Sequence, residues 1–158
     1  TDVYSFMYSL AALGSNFPLM MAFCAWFTAQ LIKFILTFIV CRENLTAKTL
    51  LSSGGMPSSH TATVCALTTS VAILEGLASP LFAACVVLSF IVMYDATGVR
   101  RSAGEQAKTL NQIISHLLSE NQIPIDMTVR EIFGHTPFQV LMGALLGIAM
   151  PLIFRVFF

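Results

Sequence analysis

From Asn16 to Cys41 the chain runs through about 26 residues whose main polar interruptions are Gln30 and Lys33. At about 1.5 Å per residue a helix of that length reaches about 39 Å, more than the roughly 30 Å of hydrocarbon in a bilayer. The stretch can therefore cross a membrane with some tilt, and a chain that does so must satisfy every backbone polar group internally.

The rest of the sequence fits. Apolar residues make up 56% of the 158 and charged residues only 10%, far from a soluble domain. Thr61 to Leu77 and Pro80 to Tyr94 form an apolar hairpin broken at Glu75, Gly76, Ser79 and Pro80, each arm marginally short for a full crossing. Pro137 to Phe158 makes a last span, and its Gly143-Ala-Leu-Leu-Gly147 allows close packing, within the chain rather than at a dimer seam. The expected architecture is an all-α membrane bundle, one domain over residues 1–158, with spans at roughly 16–41, 60–77, 80–94 and 137–158. A polar loop at 95–134 contains one amphipathic helix, marked by Leu110, Ile113, Ile114, Leu117 and Leu118 and ending near Asn121 to Pro124. Val3 to Leu13 reads as a short interfacial helix, and the start at Thr1 without an initiating Met suggests an incomplete N-terminus.

Lys plus Arg and Asp plus Glu both number 8, so charge acts here through its location and no nucleic-acid partner is expected. If the four spans alternate, Arg42, Lys48, Arg100, Arg101, Lys108 and Arg130 fall on one side and only Arg155 on the other. The positive-inside rule makes that side cytoplasmic. His60 and His135, each at the start of a span, fall on it too. For Lys48, Lys108 and Arg130 a topology signal suffices, and His116 reads as solvated. Lys33 is different: it lies about two turns inside a span, where a charge costs roughly 2.5–3.5 kcal/mol, and it either snorkels or pairs with an anion. Cys24, Cys41, Cys65 and Cys85 have no metal-ligand spacing and read as reduced thiols. No metal or cofactor is expected.

Two clusters carry chemistry. Ser52-Ser-Gly-Gly-Met-Pro-Ser-Ser-His60 sets glycines, a proline and four hydroxyls before an apolar helix, an arrangement that presents backbone N–H groups to an anion. Asp95-Ala-Thr-Gly-Val-Arg-Arg-Ser-Ala-Gly-Glu-Gln106 puts two arginines where a span ends, suited to an oxyanion.

Gly55-Met-Pro-Ser-Ser-His60 resembles the Pro-Ser-Gly-His motif of the type 2 phosphatidic acid phosphatase and vanadium haloperoxidase superfamily. Gly134-His-Thr-Pro-Phe-Gln-Val-Leu-Met-Gly-Ala-Leu-Leu-Gly147 resembles its histidine-bearing helix start, and Arg100 or Arg101 its phosphate-binding arginine. The ensemble is most similar to a small divergent branch of bacterial and plastid membrane proteins. The resemblance implies a metal-independent lipid-phosphate phosphatase: His135 attacks phosphorus, His60 protonates the leaving oxygen, and Lys33, Arg42, Arg100 and Arg101 with Ser58 and Ser59 hold the remaining oxygens. Where the superfamily carries an Asp that orients the nucleophile, this chain has Gln139, so Asp95, Glu105 or Glu131 could serve instead. Arg42 is nine residues from Lys33 and shares its site only if the helix ends near Cys41. The expected substrate is a lipid phosphomonoester or pyrophosphate, at the cytoplasmic face of a bacterial inner membrane, with room for a homodimer to complete the enclosure. The alternative is a non-catalytic protein that binds or moves an anionic lipid headgroup.

Overall fold

The computed structural model describes residues 12–41, 55–119 and 134–157. They form five helices and no strand: α1 Phe17–Cys41, α2 Ser59–Glu75, α3 Pro80–Thr97, α4 Val99–Ser119 and α5 Pro137–Phe157. The all-α expectation holds. Most of the short helix expected at Val3 to Leu13 lies outside the described residues, as do Arg42, Lys48, Arg130 and Glu131.

Local chemistry sets the helix starts. Asn16 Oδ1 accepts the Leu19 N–H at 3.1 Å, Ser58 Oγ that of Thr61 at 3.4 Å, and Ser79 Oγ that of Phe82 at 3.0 Å, each relieving a donor that the first helical turn leaves unpaired. Pro80 stands at the first position of α3, where its missing N–H costs nothing. Gly76, at φ +80°, ends α2 in a left-handed conformation and returns its N–H to Ala72 O.

Helix α2 is the hub, packing on α1, α3 and α5. Its inner contacts are small: Ala25 and Ala29 of α1 meet Ala62 and Ala66 of α2, all fully buried, with Leu146 and Met150 of α5 against them. The glycine pair closes this packing within the chain. A Cβ on Gly143 would overlap the Ser58 carbonyl, and one on Gly147 the Ala62 carbonyl, so both glycines let α5 lie on α2 backbone to backbone. Between α2 and α3, Thr68 Oγ1 and Ser89 Oγ hydrogen-bond at 2.8 Å, and Thr68 also donates to its own helix at Val64 O.

The large apolar side chains point the other way. Phe23, Phe27, Phe38 and Ile39 of α1, Val87 and Phe90 of α3, and Leu145 and Ile153 of α5 are exposed, an outer surface suited to lipid rather than water. Three stretches are long and apolar enough to cross a membrane: Phe17–Ile39, Pro80–His116 (α3 running on into α4) and Pro137–Val156. Helix α2, expected as a fourth span, has 17 residues, about 26 Å of rise, and is wrapped by the other three.

The polar stretch after α3 is more helical than its sequence suggests. Helix α3 continues to Thr97, and α4 starts one residue later, so Arg100 and Arg101 lie in a helical first turn rather than a loop. The apolar stripe of Leu110 and Ile114 continues backward through Ala107, Ala103 and Val99, whose small side chains give a weak periodic signal.

Candidate functional site

Three backbone links bring the helix ends together. The Ser58 N–H donates to Gln139 O at 3.0 Å, tying the start of α2 to the first turn of α5. The His135 N–H donates to Ala96 O at 3.0 Å, tying the approach to α5 to the last turn of α3. Gly134 lies against the backbone of Arg101, where any Cβ would overlap it. His135 is thereby fixed at the meeting point of α3, α4 and α5 and is 96% removed from solvent, being 4% exposed.

Its ring is oriented by an N-terminal cap. Thr136 and Gln139 form a capping box: the Gln139 N–H donates to Thr136 Oγ1 at 3.4 Å, and Gln139 Oε1 accepts the Thr136 N–H at 3.0 Å. That second bond fixes which end of the amide is oxygen. The same Oε1 lies 3.2 Å from His135 Nδ1, so Nδ1 must carry the hydrogen and Nε2 keeps its lone pair. Gln139 thus sets the tautomer a nucleophilic imidazole requires. Asp95 and Glu105 do not take this place: each is bonded to an arginine.

A pocket of about 200 Å³ opens beside the ring, lined by His60, Ile91, Val92, Asp95, Ala96, Arg100 and His135. His60 enters from the first turn of α2, Asp95 from the end of α3 and Arg100 from the start of α4. The N-termini of α2 and α5 converge here, and the partial positive charge of both favours an anion. Lys33 is turned into the bundle at 4% exposure, on the stripe of Ala25 and Ala29, rather than toward lipid. Its stem passes under Gly55, whose φ of +96° and lack of Cβ leave room: a Cβ there would stand 3.2 Å from Lys33 Cγ. The Lys33 charge reaches both imidazoles.

Burial holds the His135 imidazole below its ordinary value of 6.5. The Gln139 bond pulls the other way, and the nearby Lys33, His60 and Arg100 push it further down. His135 is therefore neutral at neutral pH.

The structure brings together His60, His135, Lys33, Arg100, Asp95, Ser58 and Gln139. Ser58 acts on the backbone, its Oγ capping α2 and accepting the Thr61 hydroxyl at 3.0 Å; Ser59 is buried beside it. Arg101 turns away from the pocket and pairs with Glu105 at 3.1 Å along α4. Arg42 lies outside the described residues. Thr136, the partner of Gln139 in the cap, and the wall residues Ile91 and Val92 were missed in the sequence. Thr136-Pro-Phe-Gln139 is a readable capping box, whereas Ile91 and Val92, the apolar wall, look like any other span residues. Among the described residues no three His, Cys, Asp or Glu side chains converge as a metal set.

The Bacillus subtilis (strain 168) uncharacterized membrane protein YuiD is 42% identical over 156 residues, covering 92% of this chain and 98% of its own length. No solved structure matches the chain at a significant level. The profile of the Divergent PAP2 family matches residues 14–150, which carry every helix start and every pocket residue described above; the chain is an integral membrane protein and belongs to that family.

Proposed function

We propose that the protein is a membrane phosphatase acting on a lipid phosphomonoester or pyrophosphate through a phosphohistidine intermediate. The observation that carries the reading is His135, its Nδ1 held by Gln139 Oε1, in a pocket shared with His60 and Arg100. Nε2 attacks phosphorus as the bond to the leaving oxygen breaks, and His60, protonated once the phosphoryl dianion is bound beside it, gives that oxygen its proton. Neutral His60 then takes a proton from water, whose oxygen displaces Nε2; inorganic phosphate leaves and both rings return to their starting forms. Lys33, Arg100 and the two helix N-termini stabilise the charge on the transferring group, and no step requires a metal.

The pocket wall supports an amphiphilic substrate. Ile91, which lines it, is 60% exposed on the lipid-facing side of α3 next to Phe90, so an acyl or prenyl chain can lie along α3 while its headgroup reaches the histidines. The excess of basic residues on this side of the spans supports a cytoplasmic site.

Phosphate release by the purified protein in detergent, on a panel of lipid phosphates with and without EDTA, tests the reading. Turnover that survives EDTA and disappears in His135→Ala is expected. Headgroup binding without turnover, unaffected in His135→Ala and lost without Arg100, would assign the chain to lipid binding instead, a role for which the neutral Gln139 is equally suited.

A further inference from the structure

A pocket fitted for an anion contains a carboxylate. Asp95 lines it with both histidines and Arg100, and the charges of Asp95, Lys33 and Arg100 all act on His60. A phosphoryl group arriving there meets repulsion from Asp95 as well as attraction from the two cations. The carboxylate does not orient the nucleophile, because His135 Nδ1 is bonded to Gln139. Its Oδ2 accepts instead from Arg100 Nε.

The choice of nitrogen matters. An arginine that grips a phosphate bidentately does so through two N–H groups on one edge of the fork, and one such edge includes Nε. Asp95 therefore holds the donor that an oxyanion on that edge needs. The bond also spans Gly98, the single residue between α3 and α4, so it joins the last turn of one helix to the first turn of the next. Both side chains are about half exposed, 45% for Arg100 and 37% for Asp95, which makes the pair weak enough to exchange.

We infer that Asp95 is a resident competitor for the substrate's phosphate: it holds Arg100 by Nε–H in the absence of an anion, yields it to a phosphoryl oxygen on binding, and reclaims it as inorganic phosphate leaves. Asp95 is in this sense a positioning residue that sets how firmly the site grips phosphate, in substrate and product alike. The inference rests on the phosphate-handling reading of the pocket. It accounts for a negative charge that a site built only for affinity would not keep.

The test is calorimetric binding of inorganic phosphate to the full chain in detergent, for wild type, Asp95→Asn, Arg100→Ala and the double variant. Asp95→Asn keeps the shape and removes the charge, and its phosphate Kd falls about three- to fivefold, the size expected for losing a half-exposed competing ion pair. In the Arg100→Ala background the same change has no further effect beyond about twofold, since the competition has lost its object. A residue that merely propped the elbow would weaken binding when replaced. If Asp95→Asn does not fold, Asp95→Ser carries the same expectation. In a turnover assay KM falls with the Kd while kcat does not rise. Wild type that binds phosphate, with Asp95→Asn binding it equally or more weakly, overturns this inference alone; wild type that binds neither phosphate nor orthovanadate overturns the phosphate reading and this inference with it.

Discussion

The α2–α5 contact and the α3–α4 elbow meet at the same pocket but are built from different forces. Across the first, Gly143 and Gly147 let two backbones touch, and the Ser58 N–H to Gln139 O bond locks the helix starts in register. Across the second, a one-residue break at Gly98 is bridged by a partly solvated ion pair, and α4 packs chiefly on α3. Close packing and main-chain bonds place His135 and His60, whereas side-chain charge places Arg100. On the proposed reading, the reacting groups sit on the stiff side and the group that must grip and release sits on the compliant one. A phosphoryl-transfer site gains from this division, because nucleophile and acid need fixed geometry while the cation must let product go.

The largest effects should come from the stiff side. His135→Ala removes the proposed nucleophile and should lower phosphate release by at least about 10³-fold while the protein still folds. His60→Ala should cost about 10²- to 10⁴-fold on an alkyl phosphate, as expected for a lost general acid. An aryl phosphate, whose leaving group needs no proton, should restore much of that loss. Equal losses on both substrates would mean that His60 holds phosphate rather than protonating the leaving oxygen, and the division of labour drawn above would have to be redrawn.

Stability should divide the two regions as clearly. Gly147→Leu forces a side chain into the Ala62 carbonyl and Cys65, neither of which can retreat, so about 3 kcal/mol of destabilisation is expected, seen as a lower Tm in detergent together with loss of activity. Gly98→Ala at the elbow meets the Tyr94 carbonyl at 3.1 Å and the Tyr94 ring edge at 4.0 Å, and should cost less, about 1 kcal/mol. Comparable destabilisation in both variants would erase the contrast.

The capping box gives a subtler handle. Because burial holds the His135 imidazole low, the acid limb of kcat/KM should lie below 6.5, activity rising with pH as the ring loses its proton. Gln139→Glu places a carboxylate on Nδ1–H, which favours the imidazolium and should move that limb upward by about one unit. Gln139→Leu removes the ring bond and the cap together, so kcat should fall without an upward shift. A pH profile unmoved in Gln139→Glu would show that the limb belongs to another group.

Much of the fold was legible because a bilayer imposes simple rules. Length and apolarity mark α1, α3 and α5, and Gly76 with Ser79-Pro80 marks the hairpin turn, as the structure has them. What escaped was the reach of α4, since alanines at 103 and 107 pack on a face without signalling it. In the site, His60, His135 and Arg100 were marked by residue type and their shared side of the spans. Lys33 was left open between snorkelling and pairing, because helical phase alone does not say which face is inside until the small-residue stripe of Ala25 and Ala29 is seen to meet α2. The partner of His135 was left open among four residues, and the structure selects Gln139 through a cap that also holds the helix.

The smallest effect is expected where the sequence drew no distinction at all. Arg100 and Arg101 are adjacent, equally basic and equally near the end of a span, yet helical geometry turns successive side chains about 100° apart, so only one can face the pocket. Arg100 lines it, whereas Arg101 pairs with Glu105 one turn along, with side chains 49% and 69% exposed. An exposed pair at that spacing contributes about 0.3–0.5 kcal/mol, and Gly134 packs on the Arg101 backbone, which an alanine retains. Arg101→Ala should therefore change kcat/KM by less than about 2.5-fold, the span of about 0.5 kcal/mol, and leave the Kd for phosphate unmoved. Arg100→Ala should lower kcat/KM by at least about tenfold, as for a charged bond lost from the transition state. If the two arginines prove equally costly, the elbow holds both against the substrate, and the compliant side of the site is tighter than its single ion pair implies.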